Sequence, residues 1–394
     1  MAAFRGGLAA ARAVLSGTFG LGGFRPAQVR VLGPLLAGRD VLAVLPTGAG
    51  KSLCYQVPAL LAGGLTVVVT PLVSLMQEQT ARLRARGVAA AGLNALQKAG
   101  RRREILSAVR DGTLRLLYCA PERLPSLARR LREWGREVSL LAIDEAHCVT
   151  EWGGEFRPAY RRLGECRYVL RNPVTIALTG SATAPARAEI IGVLRLDRPE
   201  TIVTSFDRPN LRFLVERVRD DRERFQAIRT RAVAADGATL VYAPTRRLTE
   251  LVTRALLRTG VPASAYHAGL AGRERRRVLR LFLSGERPVV VATTAFGMGI
   301  DRRDVRRVLH WGPAHSLEGY YQEAGRAGRD GAPADCVLFW RPRDFAYGTI
   351  AAPMRAYVEG RGCRRRALVA HFGERLERCG GCDRCGPGDR SAGG

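Results

Sequence analysis

Residues 41–52 read VLAVLPTGAGKS, and the rest of the chain is organised around them. The run opens with five apolar residues, Val41 to Leu45, short and β-branched enough for a buried parallel strand. Thr47, Gly48, Ala49 and Gly50 come next, with glycines that let backbone N–H groups turn inward around an anion. Lys51 and Ser52 then open a helix. A helix N-terminus with bare N–H groups favours phosphate, and the lysine adds a movable charge at the β/γ position of a nucleotide. The strict phosphate-loop pattern wants glycine five residues before Gly50, where this chain has Leu45.

Composition supports the reading of Lys51 independently. Of 63 basic residues, lysine stands only at Lys51 and Lys98, and every other one is arginine. Under that bias arginine was the easy choice at position 51 too. A compact ammonium suits a phosphate cradle, whereas a guanidinium is too wide for it.

The 394 residues are long for one domain and comfortable for two or three. A hydrophobic content of 46% is that of a globular protein. The net charge of +27 exceeds what solubility needs and points to a polyanionic partner, nucleic acid first. No apolar run approaches the ~18 residues of a membrane helix. The longest, residues 59–69, is broken by Gly63 and Gly64. The opening MAAFRGGLAAARAVLSG is acid-free and faintly like a transit peptide, yet residues 11–15 also read as a first helix leading into the nucleotide site. The expectation is a chain neither secreted nor membrane-bound, working in a bacterial cytoplasm or nucleoid, or in a eukaryotic nucleus. Such a compartment is reducing, so clustered cysteines suggest metal rather than disulfides.

Upstream of the loop, residues 19–28 read FGLGGFRPAQ. Gln28 can donate and accept at once, which suits an adenine edge, and Arg25 can reach phosphate or base. Downstream, residues 66–70 form another buried strand, 116–119 a third, and 140–143 a fourth that delivers Asp144, Glu145, Ala146 and His147 at its C-terminal end. Helical patterns such as residues 95–110 alternate with these strands. The fold class is therefore α/β, a doubly wound parallel sheet with ligands at the carboxyl ends of its strands. Asp144 suits a water-mediated hold on Mg²⁺, with Ser52 supplying a direct oxygen. Glu145 is placed to orient or deprotonate an attacking water. His147 reads as too far for chemistry and as a reporter toward the nucleic-acid side.

Three stretches together resemble the RecQ family of superfamily 2 DNA helicases: PTGAGKSLCYQVPAL, DEAHCVTEWGGEFRPAY and QEAGRAGRDG. The likeness runs from about residue 11 to 385, and PTGAGKS is the helicase version of the phosphate loop. In the family the aromatic-rich loop behind the DEAH box senses single-stranded DNA and couples it to ATP hydrolysis. The resemblance thus implies that role for Trp152, Phe156 and Arg157, with Tyr160 beside them. Aromatic faces stack on any base and arginine takes phosphate, so the chemistry agrees. Ser181 and Thr183 of TGSAT join the coupling set by the same likeness. Three departures stand out. Leu21 replaces a usual aromatic, Gly154 a usual histidine, and TGSAT the more common TAT.

Residues 203–211, VTSFDRPNL, match the family's link between lobes. Beyond them the α/β pattern restarts, with strands at 239–242 and 289–293, a helix at 248–259, and no second phosphate loop. Two tandem RecA-like lobes are expected, 1–205 and 206–345. Gln322, Arg326 and Arg329 of QEAGRAGRDG are the second lobe's expected contribution to γ-phosphate chemistry, where a supplied arginine is worth ~10³–10⁵ in rate in related systems. Cys363 and the run Cys379, Cys382, Cys385 then give four thiolates at spacings that close a structural Zn²⁺ site. They resemble the family's zinc-binding subdomain, expected over 346–388 with a trimmed helical part and a tail over 389–394.

The sequence thus leads to an ATP- and Mg²⁺-dependent helicase carrying Zn²⁺ and acting on single-stranded and forked or duplex DNA, its 3′→5′ polarity implied by the resemblance alone. Nine residues stand after Cys385, so the family's winged-helix and C-terminal helicase-and-RNase-D domains are expected to be missing. That expectation motivates a rival, an ATP-modulated DNA-binding and strand-annealing protein that separates strands poorly.

Overall fold

Strand β1, Val41–Val44, is buried along its whole length, as its uninterrupted apolar run requires. The structure is a computed structural model that describes residues 4–46, 48–94, 97–150, 158–232, 237–296, 302–346 and 349–386. It divides into two compact units, Met1–Thr204 and Ser205–Gly394.

The first unit holds β1 with β2 (Leu65–Val69), β3 (Ala90–Leu93), β4 (Leu116–Cys119), β5 (Val138–Ile143), β6 (Val174–Thr179) and β7 (Glu200–Val203). They form one seven-stranded sheet in the order β3-β4-β2-β5-β6-β1-β7. Every pairing in it is parallel. The register sets Val44 beside Thr179 and Val69 beside Ile143. Strands β1 and β6 end level with one another, and β5 ends two residues earlier with Ile143 beside Ala177, so all three open onto the same edge of the sheet.

The opposite edge is fastened by a buried ion pair. Asp40, one residue before β1, accepts from Arg167 Nη2 at 2.5 Å and from the backbone N–H of Thr175 and of Asp197, both at 2.8 Å. Both side chains are over nine-tenths buried. The acid-free opening stretch is the helix Leu8–Phe19, which packs Ala11 and Leu15 into the core of this unit.

The second unit repeats the architecture with β8 (Leu211–Arg217), β9 (Ala238–Tyr242), β10 (Ala263–Tyr266), β11 (Val289–Ala292), β12 (Val305–His310) and β13 (Ala334–Trp340). Their order is β10-β11-β9-β12-β13-β8, again wholly parallel. Two short helices come after β13, Ala352–Glu359 and Arg364–His371, so a helical part precedes and flanks Cys363. Among the described residues no helix is long and apolar enough to cross a membrane.

Candidate active site and metal centre

The phosphate loop leaves β1 and returns as the helix Leu53–Leu61, with Ser52 at its N-cap. Gly48 and Gly50 both hold positive φ, 83° and 78°. Gly50 is required for a second reason: a Cβ there would sit 2.6 Å from Gln28 Nε2. That amide donates to the carbonyls of Ala49 at 3.3 Å and Gly50 at 3.1 Å, while its oxygen accepts from Arg25 N–H at 2.9 Å. Arg25 Nη1 in turn donates to Gly48 O at 2.5 Å. Gln28 and Arg25 therefore grip the loop's backbone from behind. Lys51 Nζ lies 3.4 Å from Leu45 O, folded back along the loop. Leu21 is exposed.

At the end of β5, Asp144 is buried and its backbone N–H stays in the sheet, donating to Val69 O at 2.9 Å. Burial raises its carboxyl well above the usual range, Glu145's charge adds to the rise, and Lys51 opposes it. Lys51 and Asp144 thus share one electrostatic environment, where a cation would restore the carboxylate. Glu145 sits in the left-handed region at φ 49°, sparsely populated by non-glycine residues.

His147 is nearer the carboxylates than its sequence spacing suggests. Its Nδ1 lies 3.4 Å from Glu145 Oε2 and 3.0 Å from Thr179 Oγ1. Thr179's hydroxyl donates to Ser181 O at 3.0 Å, which leaves it an acceptor and assigns the proton to His147 Nδ1. A chain Glu145–His147–Thr179–Ser181 therefore joins the end of β5 to the end of β6. Thr183 caps the helix Ala184–Leu194, accepting from Ala186 N–H at 3.4 Å. Tyr160, fully buried, donates to Asp144 O at 2.9 Å. Thr47, Trp152, Gly154, Phe156 and Arg157 lie outside the described residues.

In the second unit Gln322 belongs to the helix Leu317–Ala324, and Arg326 and Arg329 come just after it. Arg326 is buried and hydrogen-bonds the hydroxyl of Tyr242 at the end of β9. Burial pushes that hydroxyl up to about 12, and Arg326's charge pulls the other way. Tyr242 Oη donates to Phe296 O at 2.7 Å. The helix itself is tied down by Glu323, whose carboxylate lies 3.0 Å from buried His310 Nε2. Sequence reasoning missed Tyr242, Thr179 and the partners of Arg326's loop, because each is a backbone or hydroxyl contact between strands far apart in the chain.

The sulfurs of Cys363, Cys379, Cys382 and Cys385 all lie within 4.8 Å of one another. Cys382 and Cys363 are 3.9 Å apart. Zn–S bonds of ~2.3 Å in a tetrahedron set sulfurs ~3.8 Å apart, so the quartet fits a four-coordinate structural Zn²⁺. The N–H groups of Arg366 and Gly381 point at Cys363 and Cys379 sulfurs at 3.5 and 3.4 Å, the polarity that thiolates need.

Comparison with known proteins matches this layout. Residues 25–191 match the family described as DEAD/DEAH box helicase, 223–331 the helicase conserved C-terminal domain, and 351–386 the RecQ zinc-binding domain. The ATP-dependent DNA helicase RecQ of Pasteurella multocida is 39% identical over 392 residues, covering 94% of this chain and 61% of its own length. That of Haemophilus influenzae is 38% identical over 395 residues, covering 95% and 63%. The chain thus spans about three fifths of the length of these relatives. Among solved structures, the DUF1998 helicase MrfA bound to DNA and AMPPNP shares the fold with a TM-score of 0.71 at 19% identity, over 95% of this chain and 54% of that one. Helicase-core profiles on two parallel-sheet units, a zinc-binding profile on the cysteine quartet and RecQ relatives across nearly the whole chain agree: it belongs to the RecQ family.

Proposed function

We propose that this chain is an ATP-driven motor that moves 3′→5′ along single-stranded DNA and unwinds forked duplexes in DNA repair and recombination. The observation that carries the reading is the meeting of Lys51, Asp144 and Glu145 at one sheet edge, with Glu145 wired through His147 and Thr179 to Ser181. The relatives' names supply the substrate class, and the net charge of +27 suits a polyphosphate.

In this reading the loop N–H groups and Lys51 hold the β- and γ-phosphates of ATP. Asp144 and Ser52 would hold Mg²⁺, which would supply charge neutralisation at the phosphates. Glu145 orients water and accepts its proton, Gln322 offers hydrogen bonds from its amide, and Arg326 and Arg329 bring positive charge to the γ-phosphate. Trp152, Phe156 and Arg157 engage the strand, and Tyr160 carries their state to the backbone of Asp144. The four cysteines bind Zn²⁺ as a structural ion.

Strand displacement on 3′-tailed, 5′-tailed and blunt duplexes of DNA and RNA tests it. ATP-dependent release from 3′-tailed DNA alone is expected, and equal release from 5′-tailed DNA or from RNA would overturn the polarity or the substrate.

A further inference from the structure

We infer that Arg208 and Asn210, in the stretch with which the second unit begins, are positioning residues that hold the arginine loop in its working shape. The inference rests on the proposed role of Arg326 in ATP turnover, and Arg326 is the group that the two residues position.

Backbone carbonyls carry the argument. Arg208 Nη1 donates to Gly325 O at 3.3 Å, and its Nη2 donates to Ala327 O and Gly328 O, both at 3.1 Å. Asn210 Nδ2 donates to Gly328 O at 2.8 Å and Ala332 O at 2.9 Å. Two side chains thus collect four carbonyls: Gly325 and Ala327 on either side of Arg326, Gly328 just before Arg329, and Ala332 three residues after it. A planar guanidinium presents fixed donors, so it dictates where those carbonyls stand, which a flexible ammonium cannot do. Gly328 shows how tight the approach is. Its φ is 53°, and a Cβ there would come 2.4 Å from Asn210 Nδ2 and 2.7 Å from Ala332 O.

The clasp is itself braced. Glu374 accepts from Ser205 Oγ at 2.5 Å and from Phe206 N–H at 2.6 Å. The Phe206 ring stacks on Phe372, with centroids 4.4 Å apart and planes 10° from parallel. Tyr321, on the helix leading into the arginine loop, donates to Phe206 O at 3.1 Å. Residues 205–210 are therefore held between the helix Arg364–His371 with its following turn and the arginine loop. A tether would need none of these contacts. With Arg326's guanidinium at Tyr242 and the carbonyls of its two chain neighbours at Arg208, the residue is held at its tip and on both sides of its backbone.

Steady-state ATP hydrolysis at saturating single-stranded DNA tests the assignment, using Arg208→Ala, Asn210→Ala, Arg326→Ala and the Arg208→Ala/Arg326→Ala double variant. Misplacing a catalytic group by about 1 Å costs ~10²-fold. The expected result is kcat lowered ~10–100-fold by Arg208→Ala with KM for ATP within about threefold, a split that general destabilisation does not produce. In the Arg326→Ala background the second substitution should remove little more, because the group being positioned is gone. Should Arg208→Ala fail to fold, Arg208→Lys replaces it, keeping charge and stem while losing the fork, with the same split expected. Undiminished kcat in Arg326→Ala would overturn the underlying reading and this assignment with it. Loss of turnover in Arg326→Ala, with kcat within about twofold of wild type in both Arg208→Ala and Asn210→Ala, would overturn the positioning role alone. A full additive loss in the double variant would do the same.

Discussion

Tyr160 Oη donates to Asp144 O at 2.9 Å, in a fully buried contact that ties the helix Pro158–Arg161 to the residue before Glu145. Under the proposed function the DNA-sensing residues come just before that helix in sequence, so the contact is the expected route from them to the acidic pair. Tyr160→Phe keeps the ring and removes the donor. A buried carbonyl left without its partner costs about 1–3 kcal/mol, spread between stability and site geometry. DNA-stimulated ATPase should fall ~5–10-fold while basal ATPase stays within about twofold, which comparison of the two rates would check. Equal loss of both would mean that Tyr160 only fills space.

Lys51→Arg keeps the charge and changes the shape. Removing one well-placed donor to developing charge costs ~10²–10³ in rate, and turnover should fall in that range. DNA affinity, measured by fluorescence anisotropy, should be unchanged because the phosphate loop is not the expected DNA contact. Turnover within about twofold of wild type would remove Lys51 from the site.

Asp40 and Arg39 are neighbours with opposite expectations. Asp40→Ala strands buried Arg167, and breaking such a pair costs about 3–5 kcal/mol. Melting should drop by roughly 6–20 °C at 2–4 °C per kcal/mol. Arg39→Ala breaks an exposed pair with Glu200, worth about 1 kcal/mol at most, and should shift melting by about 4 °C or less. Similar shifts in thermal unfolding would contradict the burial argument.

Cys382→Ser takes a ligand from the quartet. The folded protein should carry close to one equivalent of zinc, and the variant should lose it together with local order, since metal binding and local folding are one event. Elemental analysis and limited proteolysis read the two effects separately.

Legibility in the sequence tracked physical cause. β1, β4 and β5 could be read because strands covered on both faces are unbroken apolar runs. β8 alternates buried and exposed residues at the rim of its sheet, and β7 is a four-residue edge strand, so neither offered such a run. The helix foreseen over 95–110 spans Ala99–Arg110, with Lys98 at its N-cap in extended backbone. Asp144, Glu145 and Lys51 were legible because each stands after an apolar strand, at its carboxyl end. Arg208 and Asn210 were quoted within a linker and given no task, because their partners lie more than a hundred residues away and are carbonyls. Backbone acceptors carry no residue-type signal, so only the folded chain reveals the clasp.

The most direct test of the central claim is the rate of ATP hydrolysis by the purified chain with and without a single-stranded oligonucleotide. A rise of ~10-fold or more with DNA, lost in Lys51→Arg, is the result expected of a motor whose site is completed by its track. A rate unchanged by DNA, or one that survives Lys51→Arg, would contradict it.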